Sequence, residues 1–530
     1  MAPIEVEPKR SKDATLDDIK MDVQSKEFED TVPAGNPGEL RQERVHLTDQ
    51  DNKRILRKTD KAILTVLVWV YFLQIIDKSA LGYGSVFGLQ ADTGLVGTQY
   101  SLVGSMAPIA QLCWLPFSSY LIVKVQPRIL IAVLMLCWGI AQAFMAAVHN
   151  YGGLIATRFL LGLFEAACLP LFGVLTSQWY RRSEQPLRIA AWLAASGAAT
   201  ILGSAMSFGL GKIPTTTVKS WQIIFLFVGL VTVVTAPAAY WRLDNNIETA
   251  RFLNEHERAQ AIERLRANNT GIGSKEFKWS HVAEVFLDAK TYLWFFMALL
   301  LNVGAGVTNV FGPLILSGLG FDASVTLLLN IPFGVVQVLV ILFSSYAAYK
   351  AKRKALILLV LMLPVVAGLA ILYVLPRTSA NTAPNLVAYY LLAFLFGGNP
   401  LLITWLVGNT AGTTKKSCLM VIYNIGVSAG NIIGPLLFTA EDKPAYLPGL
   451  RAVLGMFCAL VVIVCVQWAL LIFLNKSQER KRVAEGKPAK LTDVSMMTHY
   501  MEQDEIVHGN AEAALHDMTD RQNSEFIYIY

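Results

Sequence analysis

The amino-acid sequence describes an all-α membrane protein: twelve transmembrane helices in two six-helix halves, with cytosolic N- and C-termini. The first ground is a count. Twelve apolar segments occur, each near the ~20 residues that a spanning helix needs. The second is composition. Of 530 residues, 54% are hydrophobic and 16% charged, and the mean hydropathy of +0.46 excludes an ordinary soluble enzyme. The third is the placement of Lys and Arg, which collect in the cytoplasmic loops of membrane proteins.

Residues 1–61 form a polar tail, expected to be disordered and cytosolic. Residues 62–241 hold six apolar segments, at 62–83, 101–123, 129–148, 154–179, 188–211 and 221–241. Residues 242–290 form a charged central loop, in which Ile247–Arg266 is predicted to be a surface helix. Residues 291–474 hold the other six segments, at 291–316, 324–349, 355–375, 386–408, 417–439 and 452–474. Residues 475–530 are a second polar, cytosolic tail.

With both tails inside, the cytosolic segments carry 38 of the 45 basic residues. The outside loops carry five: Lys212, Lys219, Arg377, Lys443 and Arg451. That bias fixes the orientation. The cytosolic loops also echo one another. Lys124 and Arg128 follow the second span, and Lys350 and Lys354 follow the eighth, each 226 residues later. Matched halves suit a transporter built from structural repeats, with its site between them near the midplane.

The two remaining basic residues, Lys78 and Arg158, fall within spans. Arg158 opens the stretch RFLLGLFE, which Glu165 closes. A charge at the bilayer centre costs about 3 kcal/mol on insertion scales, so such residues mark transport pathways by default. Seven residues apart on a helix, the two share one face about 10 Å apart along the axis. That is too far for a tight ion pair. It leaves room for a third group: a proton, a substrate carboxylate or another helix's side chain. A fixed ion-pair network between helices is the alternative.

Asp77 and Lys78 lie deep in the first span, in IIDKSALGYG. Adjacent helical positions point about 100° apart, so the two do not serve one partner in the same way. Lys78 is a candidate anchor for a substrate anion and Asp77 a candidate proton carrier. A helix–helix ion pair is the alternative. Asn302 and Asn309 share one side of the seventh span, the counterpart of the first. They suit uncharged substrate contacts or interhelical hydrogen bonds. Small residues recur every four positions at Ala199, Gly203, Ser207 and Gly211, and at Gly426, Gly430 and Gly434, which lets helices approach closely.

Other chemistries lack their residues. The six cysteines all fall in apolar segments, which suggests neither a disulfide framework nor a metal site. GYGSVFG follows no strand, so it is not a nucleotide loop. No basic surface domain exists to carry nucleic acid. Enzymatic activity, a cofactor and a metal are not expected.

Several segments, in order, resemble the major facilitator superfamily and, within its anion:cation symporters, the fungal allantoate permease branch. They are DKSALGYGSVFGLQADTGLVGTQYSLVGS, RFLLGLFEAACLP with QWYRRSEQPLR, RFLNEHERAQAIERLR, NTAGTTKKS, and GNIIGPLLF followed by PAYLPG. The C-terminal DMTDRQNSEFIYIY is similar to that branch's ending. The resemblance covers residues 60 to 475. It implies alternating access, and proton-coupled uptake of a small organic anion across the plasma membrane. The expected substrate class is allantoate- or ureidosuccinate-like, a carboxylate vitamin or a dipeptide. It also implies that Arg158 and Glu165 serve anion binding and proton coupling, and that Lys78 contacts the substrate carboxylate. A monomer is expected.

The second span departs from the branch. MAPIAQLCWLPFSSY brings in Pro108 and Gln111, and leaves Leu115 where the branch has an acid. Helix two lines the cavity in this fold, so Gln111 counts as a substrate contact and the substrate is expected to differ from its relatives'. An exporter of an endogenous metabolite and a non-transporting nutrient sensor are the alternatives.

The orientation is directly testable. A single cysteine placed near Asp322 is expected to react with an impermeant reagent in intact cells. Reaction only after permeabilisation would invert the topology.

Overall fold

The computed structural model describes residues 48–181, 184–214, 218–266, 278–351, 353–486, 488, 518–524 and 526–530. Residues 1–47 of the N-terminal tail, 267–277 of the central loop and 489–517 of the C-terminal tail lie outside the described residues.

Twelve long helices follow in order: α1 (Gln50–Val86), α2 (Gln99–Lys124), α3 (Pro127–Ala147), α4 (Tyr151–Trp179), α5 (Gln185–Gly211), α6 (Ser220–Arg242), α7 (Ala289–Ser317), α8 (Ala323–Ala351), α9 (Lys354–Val374), α10 (Ser379–Gly408), α11 (Thr413–Leu436) and α12 (Leu447–Ala484). Eleven of them are long and apolar enough to cross a membrane. The other is α2. Its 26 residues also reach across a bilayer, at 1.5 Å each.

Helix α1 begins well before its apolar segment. The hydroxyl of Thr48 caps it by accepting from the Asp51 N–H at 3.2 Å. Ile55 is fully buried, and Lys58 donates to Glu257 at 2.7 Å. The end of the tail read as disordered is therefore ordered by the central loop. The helix of that loop spans Glu255–Arg266, shorter than the sequence reading. Its Arg264 is buried and bonds Asn52 and Glu184, which ties α1 to the segment between α4 and α5.

Helix α4 breaks immediately after Glu165, at Ala166 and Ala167, and resumes at Cys168–Trp179. Pro170 is the cause. It has no N–H for the Ala166 carbonyl, and its ring crowds that carbonyl. Prolines also interrupt α2 at Pro108, α7 at Pro313 and α11 at Pro435.

The most extensive contacts between the first six helices and the last six are α5 on α8, α2 on α11, and α1 on α7, with a smaller one of α5 on α10. Adding six to each helix number exchanges the first two pairs and returns the third to itself, so the interface has an approximate two-fold. Tyr100 donates to the Val310 carbonyl at 3.0 Å, and Ser105 to that of Ile432 at 2.8 Å. Ser101 donates to the Phe438 carbonyl. Between α5 and α8, Gln337 donates to Ser196 at 2.8 Å and Asn330 to Ser204 at 3.0 Å. The α2–α11 bonds lie toward the loops that the basic-residue bias places outside.

The glycines of α11 pack on α7 within the last six helices. A Cβ added at Gly430 would stand 2.3 Å from the Leu299 carbonyl oxygen, a backbone atom that cannot step aside. Gly430→Val is therefore expected to cost at least about 1–3 kcal/mol, the usual penalty of overpacking. Gly455→Val on α12 meets nothing within 4 Å and serves as the control. Thermal midpoints in detergent check this: the first falls and the second holds.

Candidate functional site

A cavity of about 860 Å³, part of it open to solvent, lies between the first six helices and the last six. Helices α1, α2, α4, α7 and α11 line it. Its walls differ in chemistry. Lys78 and Arg158 stand on the wall formed by the first six helices, with Gln111. Asn309 of α7 and Asn424, Ser428 and Asn431 of α11 stand on the other, which is polar but uncharged.

Arg158 is 3% exposed. Its Nε and Nη2 are buried and have no hydrogen-bond partner. These two nitrogens form one edge of the guanidinium, the edge that accepts a carboxylate side-on through two parallel hydrogen bonds. Glu165 forms no ion pair with Arg158. Its Oε2 lies 3.7 Å from the Lys78 ammonium and accepts from Gln111 at 3.0 Å and from Gln74 at 3.5 Å. Its Oε1 is buried without a partner. The gap between Arg158 and Glu165 is thus filled from α1 and α2.

Gly162 makes that filling possible. It lies between the two charged residues, and a Cβ there would stand 2.2 Å from the Ala107 carbonyl oxygen. Only a glycine lets α2 press against α4 at this level, which brings Gln111 to Glu165.

Asp77 faces away from the cavity. It is fully buried, and Oδ2 accepts from the Trp138 indole N–H at 2.9 Å, while Oδ1 has no partner. Adjacent Asp77 and Lys78 therefore serve different partners. Asn302 is not among the cavity-lining residues. Its amide donates to the Ala298 carbonyl at 2.8 Å and to Asn399 at 3.2 Å, an interhelical contact between α7 and α10. Asn309 lines the cavity, as do Pro108 and Leu115 of the divergent second span.

Asn424, Ser428 and Asn431 escaped the sequence reading. Their spacing of four and three places them on one face of α11. The signal was present but overshadowed by Gly426, Gly430 and Gly434. Residues two apart on a helix point about 200° apart, so Asn424 and Ser428 turn away from the glycines that pack on α7, while Asn431 flanks them beside Gly306.

The prolines mark the same level. The residues four before Pro108, Pro170, Pro313 and Pro435 are Gly104, Ala166, Asn309 and Asn431, and all four line the cavity.

Helical spans, a cavity between two sets of six and charges buried against it define a membrane transporter. Residues 67–435 match the Major Facilitator Superfamily, and the chain belongs to that family. It is a multi-pass membrane protein and not an enzyme. It is 30% identical over 519 residues to the thiamine pathway transporter of Saccharomyces cerevisiae, covering 96% of this chain and 92% of that one. It is 27% identical over 432 residues to the high-affinity nicotinic acid transporter of the same yeast, covering 82% and 79%. An uncharacterised transporter of Schizosaccharomyces pombe is 31% identical, with 90% of each chain covered. Among solved structures, the xylose transporter XylE from E. coli superposes with a TM-score of 0.56 at 15% identity, over 77% of this chain and 97% of that one. A bacterial homolog of the human lysosomal transporter Spinster gives 0.55 at 15%, over 80% and 96%. At these identities the structures share the fold.

Proposed function

We propose that this protein is a proton-coupled symporter that imports a small organic anion across the plasma membrane by alternating access, the two sets of six helices moving about the cavity. It would act as a monomer within the fungal allantoate permease branch. The observation that carries this reading is the unpartnered edge of the buried Arg158 guanidinium on the cavity wall. A buried cation short of acceptors favours an anion, and a planar two-donor edge favours a carboxylate.

In this reading the substrate carboxylate takes the Arg158 edge, and Lys78 adds a second positive charge. Glu165 carries the proton. While ionised, it holds Lys78 and Gln111 to itself. Once protonated, it releases Lys78 toward the substrate. Asp77, behind the wall, is a second proton carrier. Asn309 meets the uncharged remainder of the substrate, helped by Asn424, Ser428 and Asn431; Gln111 borders it, and Asn302 supports Asn309's helix. The nicotinic acid transporter's substrate is itself a carboxylate, which favours this class. The candidates are allantoate- and ureidosuccinate-like compounds, carboxylate vitamins and dipeptides. Uptake of a labelled panel (allantoate, ureidosuccinate, dipeptides, nicotinate, pantothenate) in cells without their own permeases selects among them.

Two outcomes test the roles. Glu165→Gln keeps shape and hydrogen bonding but cannot carry a proton, so it is expected to retain counterflow and lose proton-driven accumulation. Arg158→Ala removes the cation that would meet the substrate carboxylate and leaves Glu165 with less compensation, and is expected to lose both. Wild-type transport by both variants at the cell surface would remove the site assignment.

Proton and anion are also linked. With Asp77, Lys78, Arg158 and Glu165 all ionised, their formal charges cancel. One bound proton leaves a net positive charge, so each ligand raises the affinity for the other. Uptake is expected to be faster at an external pH of about 5 than of about 7.5, because the proton binds first at the lower pH and pays the linkage. It should collapse with a protonophore, and carboxylates but not amines should compete. Equal uptake with the gradient dissipated would refute symport.

A further inference from the structure

The C-terminal residues 518–524 and 526–530 do not trail free. They are seated among the ends of α7, α10, α11 and α12 that face away from the Ser105–Ile432 hydrogen bond between α2 and α11. Asp520 is fully buried there. One carboxylate oxygen pairs with Lys290 of α7 and the other with Lys415 of α11 at 2.7 Å. Both lysines are buried, and Asp288 lies 3.2 Å from Lys415. The Tyr528 hydroxyl donates to Asp520 at 2.9 Å, and its ring lies 4.4 Å from the Lys290 ammonium.

The rest of the segment is held by its backbone. Asn475 of α12 accepts from the Tyr528 N–H at 2.9 Å and donates to its carbonyl at 2.8 Å. Asn409 of α10 does the same for Ile529, at 2.7 and 2.8 Å. The Trp405 indole adds a third bond, to the Ile529 carbonyl, at 2.8 Å. Two side-chain amides thus read an extended strand as a neighbouring strand would. Gln478 and Arg482 donate to the carbonyls of Asp520 and Ser524, each at 2.9 Å.

We infer that the cytosolic base of the last six helices is a peptide-binding groove, that its ligand is the chain's own C-terminal segment, and that this ligand holds four helix ends together as one body. The recognition has two parts. Asn409 and Asn475 bind backbone and would accept many sequences. Lys290 and Lys415 demand a carboxylate, and the aromatic ring of Tyr528 packs over one of them. The occupant is therefore an acidic peptide with an aromatic residue eight positions after the acid, and Asp520 and Tyr528 supply both. Burial alone would push the Asp520 carboxyl up, but Lys290 and Lys415 outweigh it and hold the group below its ordinary value. The pairing is therefore ionic at neutral pH. Without the segment, two buried ammonium groups would share Asp288 and Glu284 alone.

The proposal needs no transported substrate, so it stands or falls apart from the symport reading. The probe is a fluorescent peptide of residues 518–530, added to purified chain ending at residue 517. Saturable binding is expected, with a rise in melting temperature as the groove fills. The same peptide with Asp520→Asn should bind at least ~10-fold weaker, since a buried charged partner is lost. Full-length chain, its groove already occupied, should bind little of either. Equal binding to both chains, or none to a shortened chain that remains monodisperse, would overturn the inference. Should the shortened chain not fold, full-length chain with a protease site inserted between residues 489 and 517 gives the answer after folding. The cut segment should stay bound and exchange with excess free peptide. Its departure on cleavage alone, with no uptake of labelled peptide, overturns the inference equally.

Discussion

A charge taken out of water must be met by another polar group, and this requirement organises the molecule. Each buried charge has recruited partners from other helices. Glu165 draws Lys78 and Gln74 from α1 and Gln111 from α2. Asp77 draws the Trp138 indole from α3. Lys290 and Lys415 draw Asp520 from more than one hundred residues further along the chain. Since an uncompensated buried charge costs more than most packing errors, these pairings set how α1 to α4 approach one another, and how the C-terminal segment closes the base of α7 and α10 to α12. Arg158 is the member left short of acceptors, and it lies on the cavity wall with Lys78.

The approach itself is fixed by small residues. Helices carrying buried charges need partners within hydrogen-bond reach, and an ordinary side chain at the crossing would hold them apart. Gly162 removes that obstacle between Arg158 and Glu165. The charged stretch and its glycine are thus one device: the ends supply the electrostatics, and the centre admits the helix that completes it.

Much of this was legible in the sequence. The apolar segments, the bias of basic residues toward one side and the intramembrane Lys78, Arg158, Asp77 and Glu165 are local signals, and spacing alone puts Arg158 and Glu165 on one face. What fills the gap between them was not legible, because Gln111 approaches through a tertiary contact at Gly162. Trp138 as the partner of Asp77 is likewise a packing outcome. Asn424, Ser428 and Asn431 had a readable period, masked by a stronger glycine pattern on the same helix. The seated C-terminus was the least legible. It lies in a segment read as a polar tail, and Lys290 and Lys415 read as ordinary loop cations. Only three-dimensional proximity turns them into a groove.

The prolines have a mechanical consequence. Each of Pro108, Pro170, Pro313 and Pro435 deletes one rung of backbone hydrogen bonding, at the carbonyl of Gly104, Ala166, Asn309 and Asn431 respectively. A helix is most compliant where a rung is missing. Those four carbonyls belong to cavity-lining residues, so α2, α4, α7 and α11 each lose a rung at the depth of the cavity. A strut with its joint at the load bends around what it carries. In the alternating-access reading proposed above, the binding level would double as the fulcrum.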